Sequence, residues 1–466
     1  VGPVSGERFE RALGPFDATM VVVGGIIGAG IFINPYIVAQ RLPSEGWVLA
    51  AWAAGGAIAL AGALAYAELG SLFPKAGGQY VYLRDAYHPL VGFLYGWALL
   101  LLIECGAIAA VAITFAEYAL RLVGRDDASA LPLAIAAIVV VSAINYLGVK
   151  PGSRVLNVFV VLKVAALAIL IGAGFLIAPA VPEAGAGAAG GAAGAGDALA
   201  GGAATLPILF GAALVPILFS YGGWQNANYV AEEIDDPRRN LPRSLLAGTL
   251  LVAAIYVLVN VVYLRALGLE GLAATRTPAS DAAGRLLGPA GDRFVAAAIA
   301  VSTFGFLDLA VLAPTRVYYA MAADGLFFRG VARLHPRFRT PSLAIVLQAA
   351  WAIALALTGT YAALVDTVVF ADWIFFGLTV ASVLVFRRRA PLGSRPVGGF
   401  RMPLYPALPI LFAVVSAGVV ASVVASNPVR SAVGAALLLA GVPAYLYWKR
   451  RAPTPAGEAN GRGDRE

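Results

Sequence analysis

From residue 18 to residue 40 the chain carries no ionised side chain, and seven later stretches share that property: 47–67, 131–149, 198–231, 244–264, 340–365, 402–429 and 431–448. A helix of about 20 apolar residues crosses a bilayer. In hydrocarbon the polar backbone groups find partners only within helices or closed barrels. Alternating ten-residue strands are absent, which leaves helices. Four further apolar stretches hold isolated interior charges: 89–122 with Glu104 and Glu117, 155–178 with Lys163, 293–319 with Asp308, and 364–386 with Asp366 and Asp372. These features predict an all-α polytopic membrane protein of about twelve transmembrane helices, with the lipid bilayer as its surroundings. Composition agrees, since only 13% of the 466 residues are charged, about half the density of a soluble domain.

The net charge of +7 could suggest nucleic acid, but its distribution points to the membrane. With the N-terminus placed in the cytosol, 24 of the 33 Lys and Arg fall on the inner side, and Lys163 lies within a span. That bias predicts cytoplasmic N- and C-termini. The blocks Arg387–Arg389 and Lys449–Arg451 are then topology anchors, with no nucleic-acid partner. The first span is too long for the apolar part of a signal peptide and is expected to remain in the mature protein. Arg outnumbers Lys 29 to 4, a bias that points to a GC-rich bacterial genome and hence to a bacterial inner membrane.

Chemistry-bearing residues are scarce. The one cysteine, Cys105, sits mid-span, and the two histidines, His88 and His335, fall in inner loops. An intrachain disulfide is excluded, and neither a metal, a cofactor nor enzymatic catalysis is expected. A sensor would usually carry a soluble output domain, whereas about 18 residues follow the last span.

Two spans are interrupted by glycine. The first reads Gly24-Gly25-Ile26-Ile27-Gly28-Ala29-Gly30-Ile31-Phe32, and the sixth Phe219-Ser220-Tyr221-Gly222-Gly223-Trp224. Close packing through small residues would explain one such helix. Two of them, each opening a block of five spans, point to an inverted-repeat transporter with its binding site at the breaks. Unwinding frees N–H and C=O groups that need partners, and an amino-acid zwitterion supplies both kinds. Its carboxylate suits the positive end of a half-helix, and its ammonium suits freed carbonyls.

The segments GGIIGAGIFINP (24–35), PKAGGQYVYL (74–83), FSYGGWQNANYVAEEIDDPRRNLP (219–242) and RVYYAMAADGLFF (316–328) resemble the amino acid–polyamine–organocation superfamily. Within it the chain is most similar to L-type amino-acid transporters and bacterial amino-acid permeases, along roughly 14–448. The resemblance implies a LeuT-type fold, with two inverted five-helix repeats (17–178 and 206–386) and two extra helices (404–448). Around these lie a tail at 1–16, a Gly/Ala-rich outer loop at 179–205, a basic inner loop at 387–403 and a tail at 449–466. It also implies sodium-independent exchange or proton-coupled uptake of amino acids by alternating access.

Carried over by position, the amides of Ala29, Gly30 and Ile31 would hold the substrate carboxylate beside Gly28. The carbonyls of Ile26, Ile27, Phe219, Ser220 and Gly222 would hold its ammonium, and Phe219 would close over it. Several relatives have Ser where this chain has Ala29. A pocket lined by Ile26, Ile103, Phe219, Trp224 and Gln225 would favour neutral L-amino acids. Gly30 is expected to need a positive φ, which a β-branched residue could not adopt. Animal L-type relatives join a glycoprotein through an outward-facing cysteine. Cys105 is buried in its span, so no disulfide-linked ancillary subunit is expected.

Each ionisable residue in a span costs roughly 2.5–3.5 kcal/mol at the midplane and needs a reason. The family resemblance places the Lys163 ammonium where sodium-coupled relatives bind Na⁺, with a carbonyl near Gly25 and Ser302 or Thr303 as its partners. It is either a coupling charge or a fixed pin between two helices. Glu104 has three readings: it favours a cationic amino acid or polyamine, it carries a proton, or it stays protonated against another helix. Asp308 is expected to be a neutral, hydrogen-bonded acid. In the fold that the resemblance implies, Asp372 and Trp373 fall in the tenth span and would border the pathway toward its outer end. The loop 232–239, dense in both signs, is either solvated or part of an inner gate.

Overall fold

The computed structural model of the chain describes residues 9–125, 128–177, 205–358, 361–389, 399–426 and 428–451. The low-complexity tract 183–204, part of the basic inner loop and the tail beyond Arg451 lie outside the described residues. Among the described residues the regular structure is helical, apart from one isolated parallel bridge between Leu13 and Ile234.

The first uncharged run does not form one helix. It gives α1 (Pro15–Ile26), then α2 (Gly30–Ile33) and α3 (Pro35–Ala39). A 28-residue rod, α4 (Glu45–Leu72), follows, and α5 (Gln79–Ala86) leads to α6 (Pro89–Ala98). Five residues of π-helix, Leu99–Ile103, join α6 to α7 (Glu104–Leu122). Next come α8 (Leu131–Tyr146) and α9 (Val149–Leu176).

The sixth expected span is likewise divided, into α10 (Thr205–Tyr221) and α11 (Asn226–Tyr229). Beyond it lie α12 (Pro237–Ala274), α13 (Pro278–Leu287), α14 (Gly291–Leu312) and α15 (Thr315–Ala323). The last described elements are α16 (Ser342–Thr358), α17 (Tyr361–Arg389), α18 (Ala407–Ser426), α19 (Pro428–Leu439) and α20 (Gly441–Arg451).

Among the described residues seven helical stretches are long and apolar enough to cross a membrane, and four more are shorter apolar helices. Two of the short ones, α1 and α10, are those cut by the glycine motifs. Apolar side chains also face outward: Val158, Leu162 and Ile169 on α9, and Leu411 and Val414 on α18, are about half exposed. Such continuous apolar exposure suits lipid rather than water. The chain is a multi-pass membrane protein.

Close approach places α1 at the centre, against α9, α12 and α14. A Cβ on Gly24 would stand 2.8 Å from Val160 Cγ2 and 3.0 Å from Leu156 Cδ1. Any larger residue would push α1 off α9. On its other side a Cβ at Gly248 would meet Val22 Cγ1 at 2.7 Å.

At the end of the bundle that carries residue 9, the loop 232–239 is partly packed: Glu233, Ile234 and Pro237 are buried, while Asp235, Asp236, Arg238 and Arg239 are exposed. Glu233 and Arg316 form a bidentate ion pair of 2.6 and 3.2 Å, with both side chains 1% exposed. The Glu233 carbonyl accepts from Ala12 and Leu13 N–H, each at 3.0 Å, and Asp235 N–H donates to the Leu13 carbonyl at 2.9 Å. Glu232 accepts from Ala76 N–H at 3.1 Å.

Candidate substrate-binding site at two broken helices

The last helical bond of α1 runs from Ile27 N–H to the Val23 carbonyl, at 2.9 Å. Ile27 then turns to extended ψ (90°), and helix resumes only at Gly30. The backbone N–H groups of Ala29, Gly30 and Ile31 find no backbone acceptor among the described residues. These are unmet donors at the start of a helical segment.

In the second break α10 ends at Tyr221, and Gly223 adopts φ +118°, a conformation that a side chain would strain. The two breaks touch through backbone. A Cβ added to Gly223 would overlap the Gly25 carbonyl, and one on Gly25 would lie 2.5 Å from the Gly223 oxygen.

Side chains satisfy part of the freed backbone. The Tyr256 hydroxyl lies 3.0 Å from the Ile26 carbonyl and 3.2 Å from that of Ser220, one acceptor in each broken helix. Asn34 Nδ2 donates to the Pro216 carbonyl at 3.0 Å and to Ser220 Oγ at 2.8 Å. Pro216, within α10, has no N–H to give the Ala212 carbonyl, and Arg41 Nη1 donates to it instead.

Between the breaks lies a cavity of about 110 Å³. Among the residues singled out from the sequence, Gly25, Ile26, Gly28, Ala29, Gly30, Ile103, Glu104, Phe219, Ser220, Gly222 and Gln225 line it. Ile27, Ile31 and Trp224 do not. Ile27 is fully buried and its carbonyl turns to Lys163. Ile31, also fully buried, faces the core. After the positive-φ Gly223, Trp224 packs edge-on against Tyr66 of α4 (6.2 Å, 85°) and stacks on Phe376 of α17 (5.1 Å, 28°). Gly62 makes room there, since a Cβ would stand 2.7 Å from Trp224 Cζ2.

Several carbonyls expected to receive the ammonium are already engaged: Ile26 and Ser220 by Tyr256, Ile27 by Lys163, and Phe219 by Gly222 N–H at 3.2 Å. The Gly222 carbonyl has no hydrogen-bond donor among the described residues. Gly30 has no positive φ. Its constraint is steric, because a Cβ would sit 2.6 Å from Ser220 Oγ and 3.0 Å from Ser220 Cα.

Lys163 is fully buried behind the cavity. Its Nζ donates to the carbonyls of Ile27 at 2.7 Å and Gly24 at 3.2 Å, on either side of the expected Gly25. Ser302 Oγ points to the same turn, 3.4 Å from the carbonyls of Ile27 and Gly28. Thr303 instead donates within its own helix, to Ile299 at 2.7 Å and Ala300 at 3.1 Å. Asp308 is fully buried away from the cavity, and Asn145 Nδ2 donates to its Oδ1 at 2.7 Å, tying α8 to α14.

The cavity also takes in residues that sequence reasoning did not place there: Gly106, Ala107, Ala110 and Val111 on α7, Asn226, Phe306, and Asp372, Trp373 and Phe376 on α17. Those on α7 continue the face of Ile103 at helical spacing, a signal that was available. Asp372 and Trp373, expected toward the outer end of the pathway, line the cavity itself.

The profile of the family described as "Amino acid permease" matches residues 13–446. The chain is 32% identical to the human b(0,+)-type amino acid transporter 1 over 423 residues, 90% of this chain and 84% of that protein. It is 31% identical to the human large neutral amino acids transporter small subunit 2 over 469 residues (96% and 82%). With the serine/threonine exchanger SteT of Bacillus subtilis it shares 31% over 450 residues (95% and 98%). A family match along nearly the whole chain, and relatives above 30% identity covered over most of their length, lead to one conclusion: the chain belongs to the amino acid permease family of the amino acid–polyamine–organocation superfamily.

Proposed function

We propose that this permease is a secondary active transporter that carries L-amino acids across the bacterial inner membrane by alternating access, without sodium. One observation carries the reading: two broken helices meet at a single cavity that holds both unmet N–H donors and an unengaged carbonyl. That pairing suits the carboxylate and ammonium common to all amino acids. The names of the relatives support the class of cargo. Those names are of transporters and an exchanger, which supports carriage over catalysis.

The helix order supports a LeuT-type arrangement of twelve crossings with α1–α3 as the first and α10–α11 as the sixth. Both termini would be cytoplasmic, where the basic blocks would lie. The Lys163 ammonium fills the position that a sodium ion would otherwise take. Cys105 is fully buried and lies 3.5 Å from the Gln348 carbonyl, out of reach of an external thiol, which fits a carrier that works without a disulfide-linked subunit. Ile26, Ile103 and Phe306 offer apolar surface to neutral side chains. Glu104 and Asp372 on the same cavity favour a second reading, in which the cargo bears an extra positive charge.

Purified protein in liposomes, offered a panel of labelled amino acids with and without internal substrate, a pH gradient and Na⁺, provides the test. Saturable uptake in sodium-free buffer is expected. Uptake that required Na⁺ or a second polypeptide would overturn this reading, as would a folded protein that transported no amino acid.

A further inference from the structure

Glu104 begins α7 immediately after the π-helical turn Leu99–Ile103. Such a turn inserts one residue and so rotates the following face by about 100°. Ile103 and Glu104 both reach the cavity there. Glu104 is 7% exposed, and its carboxylate has no hydrogen-bond partner among the described residues.

Asp372 reaches the same cavity from α17, and its buried Oδ1 likewise has no partner. The two carboxyl-bearing residues line one cavity, on helices that pack against each other. A third orphan acceptor, Asn226 Oδ1, belongs to a residue 4% exposed that also lines the cavity, its Nδ2 being held by the Gly223 carbonyl at 3.0 Å. Lys, Arg and His are missing from the described lining. The buried Lys163 is committed to α1 carbonyls. Behind the acids stand phenols, with the Tyr95 and Tyr229 hydroxyls bonded to each other.

A buried charge without a partner is expensive, and two like charges more so. On the cavity wall of this corner the unsatisfied side-chain groups accept hydrogen bonds or carry negative charge, although the Tyr66 and Tyr318 hydroxyls behind it also lack partners, so the missing ligand is a donor with positive charge. The helix breaks already account for one ammonium and one carboxylate.

We propose that Glu104 and Asp372, with Asn226 beside them, form a side-chain subsite for a second cationic group, so that the preferred cargo is a diamino acid. This deepens the amino-acid carrier reading and rests on it. The substrate carboxylate lies at α2, and its side-chain ammonium is held between α7 and α17.

L-lysine and L-norleucine differ by that terminal ammonium and test the subsite directly. Their affinities are measured on the purified protein by competition and by thermal shift, and their transport is measured in liposomes. The wild type is expected to favour lysine by at least about tenfold, the usual consequence of a site that leaves buried polar groups unpaired with the lesser ligand. Glu104→Gln and Asp372→Asn should each lower the lysine-to-norleucine ratio by about tenfold. A merely structural role would lower both affinities together and leave the ratio in place.

Binding of norleucine and other neutral amino acids in preference to lysine would overturn the subsite and spare the carrier. A folded protein that bound no amino acid would overturn both. Cadaverine, which keeps both amines and lacks the carboxylate, should bind much more weakly than lysine. Equal binding would remove α2 from the proposal.

Discussion

Lys163 reaches from α9 to the last turn of α1 and binds the two carbonyls that bracket the start of the break. Hydrogen bonds to a charged group contribute roughly 1.5–3 kcal/mol each, and removing the ammonium leaves both acceptors buried. Lys163→Ala should therefore cut transport more than tenfold at near-normal expression, measured as initial uptake per molecule in liposomes. Full activity would reduce Lys163 to a packing residue. Gly223 offers a second residue-scale test. A methyl there must accept φ +118° and overlap Gly25, a strain of about 1–2 kcal/mol before the collision is counted. At Gly222 the closest neighbour of an added Cβ is the Phe219 carbonyl oxygen, at 3.5 Å. Gly223→Ala should lower the melting temperature of the purified protein markedly and Gly222→Ala only slightly; equal effects would contradict the backbone contact between the breaks.

A helix broken inside a membrane has to satisfy the groups it frees, and at the scale of elements α12 supplies that service. Tyr256 stands within reach of the freed carbonyls of both α1 and α10. Tyr256→Phe keeps the ring and its packing on Trp52 and Tyr221 but removes the shared donor. A loss of about 1 kcal/mol of stability is expected, with a larger loss of transport, since the two breaks would no longer be tied. Unchanged uptake would show that the tie is dispensable. Glycine spacing made both breaks legible at this scale. Their partners were not, because Tyr256, Asn34 and Arg41 lie 36 to 230 positions from the carbonyls they serve, and no local pattern in the chain connects them.

Across the whole molecule, one end of the bundle is latched. Phe9–Gly14, the loop after α11 and the start of α15 meet at the buried Glu233–Arg316 pair, and the Arg316 guanidinium also lies 5.5 Å from the centre of the Phe9 ring. Removing one partner of a buried pair typically costs about 3–5 kcal/mol, because the other charge is stranded. Glu233→Ala should be strongly destabilised, and adding Arg316→Ala should recover part of that loss in a double-mutant cycle measured by thermal unfolding. Additive losses would mean that the two side chains are not coupled.

Hydropathy determined by itself that the chain lives in a membrane as helices, and glycine placement located the two interruptions, because both are properties of a few adjacent residues. The motifs around them were enough to identify the family. Which atoms face the cavity was decided only by tertiary structure. The rotation of each segment after its break turns the Ile27 carbonyl to Lys163 and sends Trp224 to α4, and neither rotation is encoded in spacing. Glu104 and Asp372 are 268 positions apart, each legible as a costly buried acid. That they share one cavity depends on α7 packing against α17, a contact that exists only once the whole bundle has assembled.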